Sequence, residues 1–87
     1  MDEVRKKIIM LELNSLFDET KKDCLEVLEK HILKGDSWKT CNVNHLRDKL
    51  KEEFNEVRTA TTLEDEAYEL LDLINIAIMF RKRLCQL

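Results

Sequence analysis

The stretch Glu69, Leu70, Leu71, Asp72, Leu73, Ile74, Asn75, Ile76, Ala77, Ile78, Met79, Phe80 is apolar except at Glu69, Asp72 and Asn75, which recur every three residues. On a helix that recurrence draws one polar line along an otherwise apolar surface. An ionised carboxylate is expensive inside such a helix unless a partner compensates it, and no Lys or Arg occurs between positions 69 and 80. Upstream, residues 49–58 have helical character and carry Glu52, Glu53 and Glu56. Two helices can therefore aim carboxylates at one point, and an all-oxygen donor set of this kind suits Mg²⁺ or Mn²⁺.

Working outward, the segment 60–62 (Ala60, Thr61, Thr62) interrupts the helical pattern, and Thr62 followed three residues later by Asp65 resembles a capping box with Asp in place of Glu. The spacing predicts a helix from there to about Cys85 and another over Val43–Thr59, capped by Asn42 or Asn44. Its expected buried stripe is Leu46, Leu50, Phe54 and Val57, bordered by Glu53 and Glu56. Residues 3–33 show helical spacing at Val4, Ile8, Leu11, Leu16, Phe17, Cys24, Val27, Leu28 and Ile32. Asn14 and Ser15 mark a possible break there, with Asp18 available to cap a second start. The single glycine, Gly35, follows Lys34 as a helix C-terminus would, and a loop over 35–42 carries Asp36, Ser37, Trp38 and Lys39.

The composition agrees with an all-α fold in one domain spanning 1–87. The 87 residues include one Gly and no Pro, with 38% charged and 44% hydrophobic residues. A chain this short buries only about 60–65% of its unfolded surface, so a helix as apolar as 70–80 is hard to cover within one subunit. A helical bundle assembled as a homo-oligomer, a dimer or tetramer, is the expected architecture. The net charge of −3 argues against nucleic acid as a partner, and Arg81, Lys82 and Arg83 read as cations favoured in a helix's last turn. No membrane span and no signal-peptide core is seen, which reads as a cytosolic chain. Cys24, Cys41 and Cys85 are widely spaced and odd in number. They fit reduced thiols rather than disulfides or a zinc site.

Glu53 and Glu56, like Glu69 and Asp72, sit three residues apart, so each pair projects from one side of its helix. Packed through a short turn, the two pairs face each other and repel, destabilising the metal-free fold. Di-iron bundles add an ExxH pair on two helices, and neither His31 nor His45 follows a Glu by three positions. Mg²⁺, which often shares its shell with substrate phosphates, is the better match.

The pattern Glu52, Glu53, x, x, Glu56, then Glu69, x, x, Asp72, resembles the EExxE and ExxD signature of the all-α MazG-like nucleoside triphosphate pyrophosphohydrolases. The loop Gly35, Asp36, Ser37, Trp38, Lys39 is similar to a segment of phage and bacterial members, and Asn75 matches a position often Asn there. The resemblance covers about 35–83. It implies a helical MazG-like domain, with Glu53, Glu56, Glu69 and Asp72 as ligands of Mg²⁺ (or Mn²⁺), and hydrolysis of a nucleoside triphosphate to monophosphate and pyrophosphate. Glu52 or Glu53 would take the proton of the attacking water. Trp38 is open to two readings, a base-stacking platform or a plug in the helix turn. Lys39 and Lys49 would balance phosphate charge, although Lys49 also pairs naturally with Glu53 one turn on. Asn75 either contacts ligand or makes an interhelical hydrogen bond, while Tyr68 and Met79 read as packing. Phosphoribosyl-ATP pyrophosphatase, a small homologue with a similar EExxE core, is the alternative within the superfamily. A non-enzymatic helical interaction module, whose buried polar residues set subunit register, is the alternative outside it.

Overall fold

The computed structural model describes residues 2–31 and 35–87, and within them all regular structure is helical: α1 (Glu3–Lys30), a 3-10 turn (Ser37–Lys39), α2 (Val43–Thr59) and α3 (Leu63–Cys85). Each long helix starts at a side-chain cap. Asp2 accepts from the Arg5 amide, Asn42 from that of Asn44 and Thr62 from that of Asp65. Asn14 and Ser15 do not break α1, which runs 28 residues without interruption. Both residues keep their amide proton, and each costs only about half a kcal/mol relative to Ala in a helix. The expected extension of this helix to 33, with Ile32 and Lys34, falls outside the described residues. Gly35 has φ +74°, a left-handed conformation that its missing Cβ makes inexpensive.

The connection 60–62 folds α3 back on α2, and this pair forms the most extensive contact in the molecule. α1 packs less extensively on α3, and the 3-10 turn also touches α3. The central element is thus the apolar helix that opened the sequence reading. Its one buried residue is Asn75, whose Nδ2 donates to the Cys24 carbonyl at 3.1 Å and joins α3 to α1. This is the interhelical hydrogen bond expected as one of the two readings of Asn75. Replacing Asn75 with Ala removes that bond and leaves a void between α1 and α3. A loss of about 1–2 kcal/mol is expected, or about 5–10 °C in a thermal melt of a domain this size.

On α2 the inward line is Leu46, Leu50, Glu53 and Val57, a 4-3-4 spacing, and the expected Phe54 is not part of it. Phe54 is 55% exposed, whereas Glu53 is 8% exposed. The 4-3-4 line is the seam two packed helices present to each other, and the residue after it turns about 100° away. A carboxylate therefore occupies a position that apolar patterning would give to a hydrophobe.

The core is thin. Among the described residues Cys24, Val27 and Leu46 are its buried apolar side chains, while Val4, Ile8, Leu11, Leu16 and Phe17 of α1 are all exposed. The chain exposes 7321 Å², against about 5,400 Å² for a compact monomer of this mass. Its radius of gyration is 15.7 Å, against about 12 Å for a compact domain. Among the described residues, no helix is long and apolar enough to cross a membrane.

Candidate metal centre

Glu53 and Glu56 lie one turn apart on α2, Glu69 and Asp72 one turn apart on α3, and the hairpin brings the four together. One carboxylate oxygen from each lies within 4.8 Å of the others. Glu53 is buried, Glu69 and Asp72 are half-buried and Glu56 is exposed, so the cluster has a dry floor and an open rim. Lys49 offers the ion pairs seen at the cluster's edge, 3.6 Å from Glu53 Oε1 and 3.4 Å from Glu52 Oε2. Burial pushes the Lys49 ammonium toward neutrality, but the Glu52 hydrogen bond and the Glu53 and Glu52 charges outweigh it and its pKa ends raised. One ammonium does not balance four carboxylates.

Glu53 registers that imbalance most. Burial, then a hydrogen bond shared with Glu56, then the charges of Glu56 and Asp72 push its pKa up to about 7, with Lys49 opposing. Glu69 is also raised, by burial first and then by the charges of Asp72 and Glu56. Glu53 Oε2 is buried without a hydrogen-bond partner among the described residues. Leaving a buried polar atom unpaired costs about 1–3 kcal/mol, more when it is charged. A divalent cation would satisfy this oxygen and cancel the repulsion, and oxygen-only donors on two rigid helices fit Mg²⁺ or Mn²⁺.

A groove of about 390 Å³ opens beside the cluster, with Glu53, Asp72, Lys49, Asn75 and Trp38 in its wall. Trp38, Lys49 and Asn75, the residues expected to meet a substrate, are therefore brought together next to the carboxylates. Lys39 is not part of that wall, and its Nζ pairs with Asp36 at 3.4 Å on the exposed side of the turn. Glu52 is exposed and stands outside the four-carboxylate cluster, next to Lys49. Tyr68 lies under the Lys30 ammonium at 5.7 Å, while Met79 lines the groove.

Sequence reasoning gave His31, Cys41, His45 and Arg83 no place at the site. The first three also line the groove, and nothing in their spacing marks them, because the C-cap of α1, a loop and α2 supply one each. Arg83 had a signal that was available: Asp72, Asn75, Met79 and Arg83 follow one another at steps of three, four and four, the inward line of α3. Its Nη1 donates to the carbonyls of Trp38 at 2.8 Å and Cys41 at 2.7 Å. Cys24 is a poor nucleophile here, since burial and the nearby Asp23 and Asp72 charges raise its thiol pKa.

No family model, curated protein or solved structure matches the chain. The functional reading accordingly rests on the site itself.

Proposed function

We propose that this protein is a Mg²⁺-dependent nucleoside triphosphate pyrophosphohydrolase of the MazG-like kind, converting a (d)NTP and water to (d)NMP and pyrophosphate. The observation that carries the reading is the convergence of Glu53, Glu56, Glu69 and Asp72 within 4.8 Å around a buried, unpartnered Glu53 oxygen. A site for a divalent ion alone would not need the adjoining groove. Here the groove places an indole, an ammonium and a carboxamide beside the carboxylates, a set suited to a base, phosphates and a ribose or base edge.

In this reading Glu53, Glu56, Glu69 and Asp72 would hold the Mg²⁺, which would supply charge neutralisation to the triphosphate oxygens. Lys49 gives a further positive charge on the same side. Water adds to the α-phosphorus, the bond from that phosphorus to the α–β bridging oxygen breaks, and pyrophosphate leaves with that oxygen. The water's proton goes to a carboxylate. Glu53 is inside the cluster and serves as a ligand, while Glu52, at its exposed edge and paired with Lys49, is outside the ligand set and is the carboxylate that acts on water.

The assembly belongs to the same proposal. The chain exposes roughly 1,900 Å² more than a compact monomer of its mass would, enough for a large obligate interface in a homo-oligomer. The apolar side chains left open on α1 supply its surface.

The decisive experiment incubates the purified protein with a panel of dNTPs and NTPs plus Mg²⁺ and resolves the products, with Glu56→Gln as matched control. Monophosphate and pyrophosphate are expected from the native chain, and a loss of at least about a hundredfold in rate from E56Q. Absence of turnover together with no Mg²⁺-induced rise in melting temperature would sink the proposal and leave the helical interaction module.

A further inference from the structure

The loop that carries Trp38 is tied to the far end of α3 by one side chain. The turn uses its own amides on the carbonyls of Asp36 and Ser37: Lys39 N bonds Asp36 O at 2.9 Å, and Thr40 N and Cys41 N bond Ser37 O at 3.1 and 2.9 Å. Arg83 takes the carbonyls of Trp38 and Cys41 through a single Nη1. The same nitrogen lies 3.9 Å from Cys41 Sγ. A side chain 42 and 45 residues away in sequence thus closes both ends of the segment bearing the groove's indole.

A hydrogen bond from a charged donor contributes about twice what a neutral one does. Two on one half-buried guanidinium hold the turn in one arrangement, whereas a three-residue 3-10 turn has little rigidity of its own. Ser37, Trp38 and Cys41 all line the groove, so the position of this turn sets the distance from the indole to the carboxylates. Gly35, with φ +74°, meets no atom of the described residues within 4 Å of its would-be Cβ, and the side-chain restraint seen at this end of the turn is the exposed Lys39–Asp36 pair at 3.4 Å, a weak one. The stronger restraint enters from α3.

We propose that Arg83 is a positioning residue for ligand recognition: by fixing the Trp38 and Cys41 carbonyls it orients the indole as a stacking face for the planar end of a nucleotide whose phosphates lie toward Lys49 and the carboxylates. The ligand class rests on the pyrophosphohydrolase reading; the latch itself rests on the Arg83 geometry.

Trp38 is the only tryptophan in the chain, so its fluorescence reports on the turn without any assay of turnover. In Arg83→Met, which keeps an apolar stem and removes the donors, acrylamide quenching of Trp38 is expected to rise at least about twofold. KM for the best nucleotide of the panel is expected to rise about tenfold, with kcat within about threefold of native, since the carboxylates are untouched. Arg83→Lys, whose shorter ammonium reaches one of the two carbonyls, falls between. Native-like quenching in R83M overturns the latch. Raised quenching with unchanged KM overturns the role in recognition. Should R83M lose its helical circular dichroism, R83K decides: intermediate values support the proposal and native values in both readouts overturn it. If the native chain turns over no nucleotide and Mg²⁺ does not raise its melting temperature, the pyrophosphohydrolase reading and the recognition role fall together, while the quenching comparison still decides the latch.

Discussion

Replacing Glu53 with Gln is expected to abolish turnover and, in the absence of metal, to make the protein more stable at pH 8. Both effects come from one buried carboxyl. Its pKa in the folded chain is pushed up to about 7 by burial and by its acidic neighbours, above the ordinary carboxylate range. The folded state therefore holds this proton more tightly than the unfolded state does. Between about pH 4.5 and pH 7 the native protein binds more protons than the denatured chain, and stability falls as pH rises through that window. The loss levels off above about pH 7 and is on the order of 3 kcal/mol. Glu69, raised for the same kind of reason, adds in the same direction.

A glutamine cannot ionise, so E53Q escapes that loss. Its melting temperature should match the native protein's near pH 4.5 and exceed it by roughly 10 °C or more at pH 8. Mg²⁺ reverses the order. Millimolar Mg²⁺ should raise the native melting temperature at pH 8, raise it much less at pH 5 where Glu53 is protonated, and leave E53Q nearly unmoved. Turnover in E53Q should drop by at least about 10²–10³-fold. Thermal melts of both proteins at the two pH values, with and without Mg²⁺, check the whole set. An apo E53Q no more stable than native at pH 8 would refute the account of Glu53 as a strained, metal-requiring carboxylate.

Substituting Leu11 and Phe17 together by Glu is expected to dissociate the proposed homo-oligomer and to unfold most of the chain. These side chains are 69% and 71% exposed in the single chain, where a charged replacement would ordinarily cost within about half a kcal/mol. The prediction is therefore sharp, because a self-sufficient monomer would barely notice the change. With three buried apolar side chains among the described residues and none of those fully enclosed, one subunit has little of the burial that opposes chain entropy. An obligate assembly also makes the native melting temperature rise with protein concentration. Light scattering coupled to size exclusion and melts over a hundredfold concentration range read both effects. A monomeric, well-folded native protein, or a double variant as stable as native, would remove the oligomer from the proposal.

Much of the fold was legible because it is local. Asn42 and Thr62 cap helices where their short side chains reach back to a nearby amide, and helix ends at Thr59 and Cys85 agree with the expected pattern. The convergence of the two carboxylate pairs was also legible, since a three-residue spacing and a three-residue connection leave a helical hairpin few other ways to pack. Phe54 was misplaced because Leu46, Leu50, Phe54 and Val57 also satisfy helical spacing. Periodicity alone does not say which of two adjacent lines meets the partner helix.

From sequence alone came the all-helical class, the two helices over 43–59 and 63–85, the Thr62 cap and the four acidic residues on facing sides, all set by spacing, propensity and covalent reach, while 3–33 stayed open as one helix or two. The tertiary structure decided that Glu53 rather than Phe54 turns inward, that Asn75 bonds the Cys24 carbonyl, and that Arg83 closes the Trp38 turn. Those depend on the rotation of one helix against another and on contacts between residues more than forty positions apart. No local pattern encodes such contacts; packing selects among arrangements that are equal in their local energies.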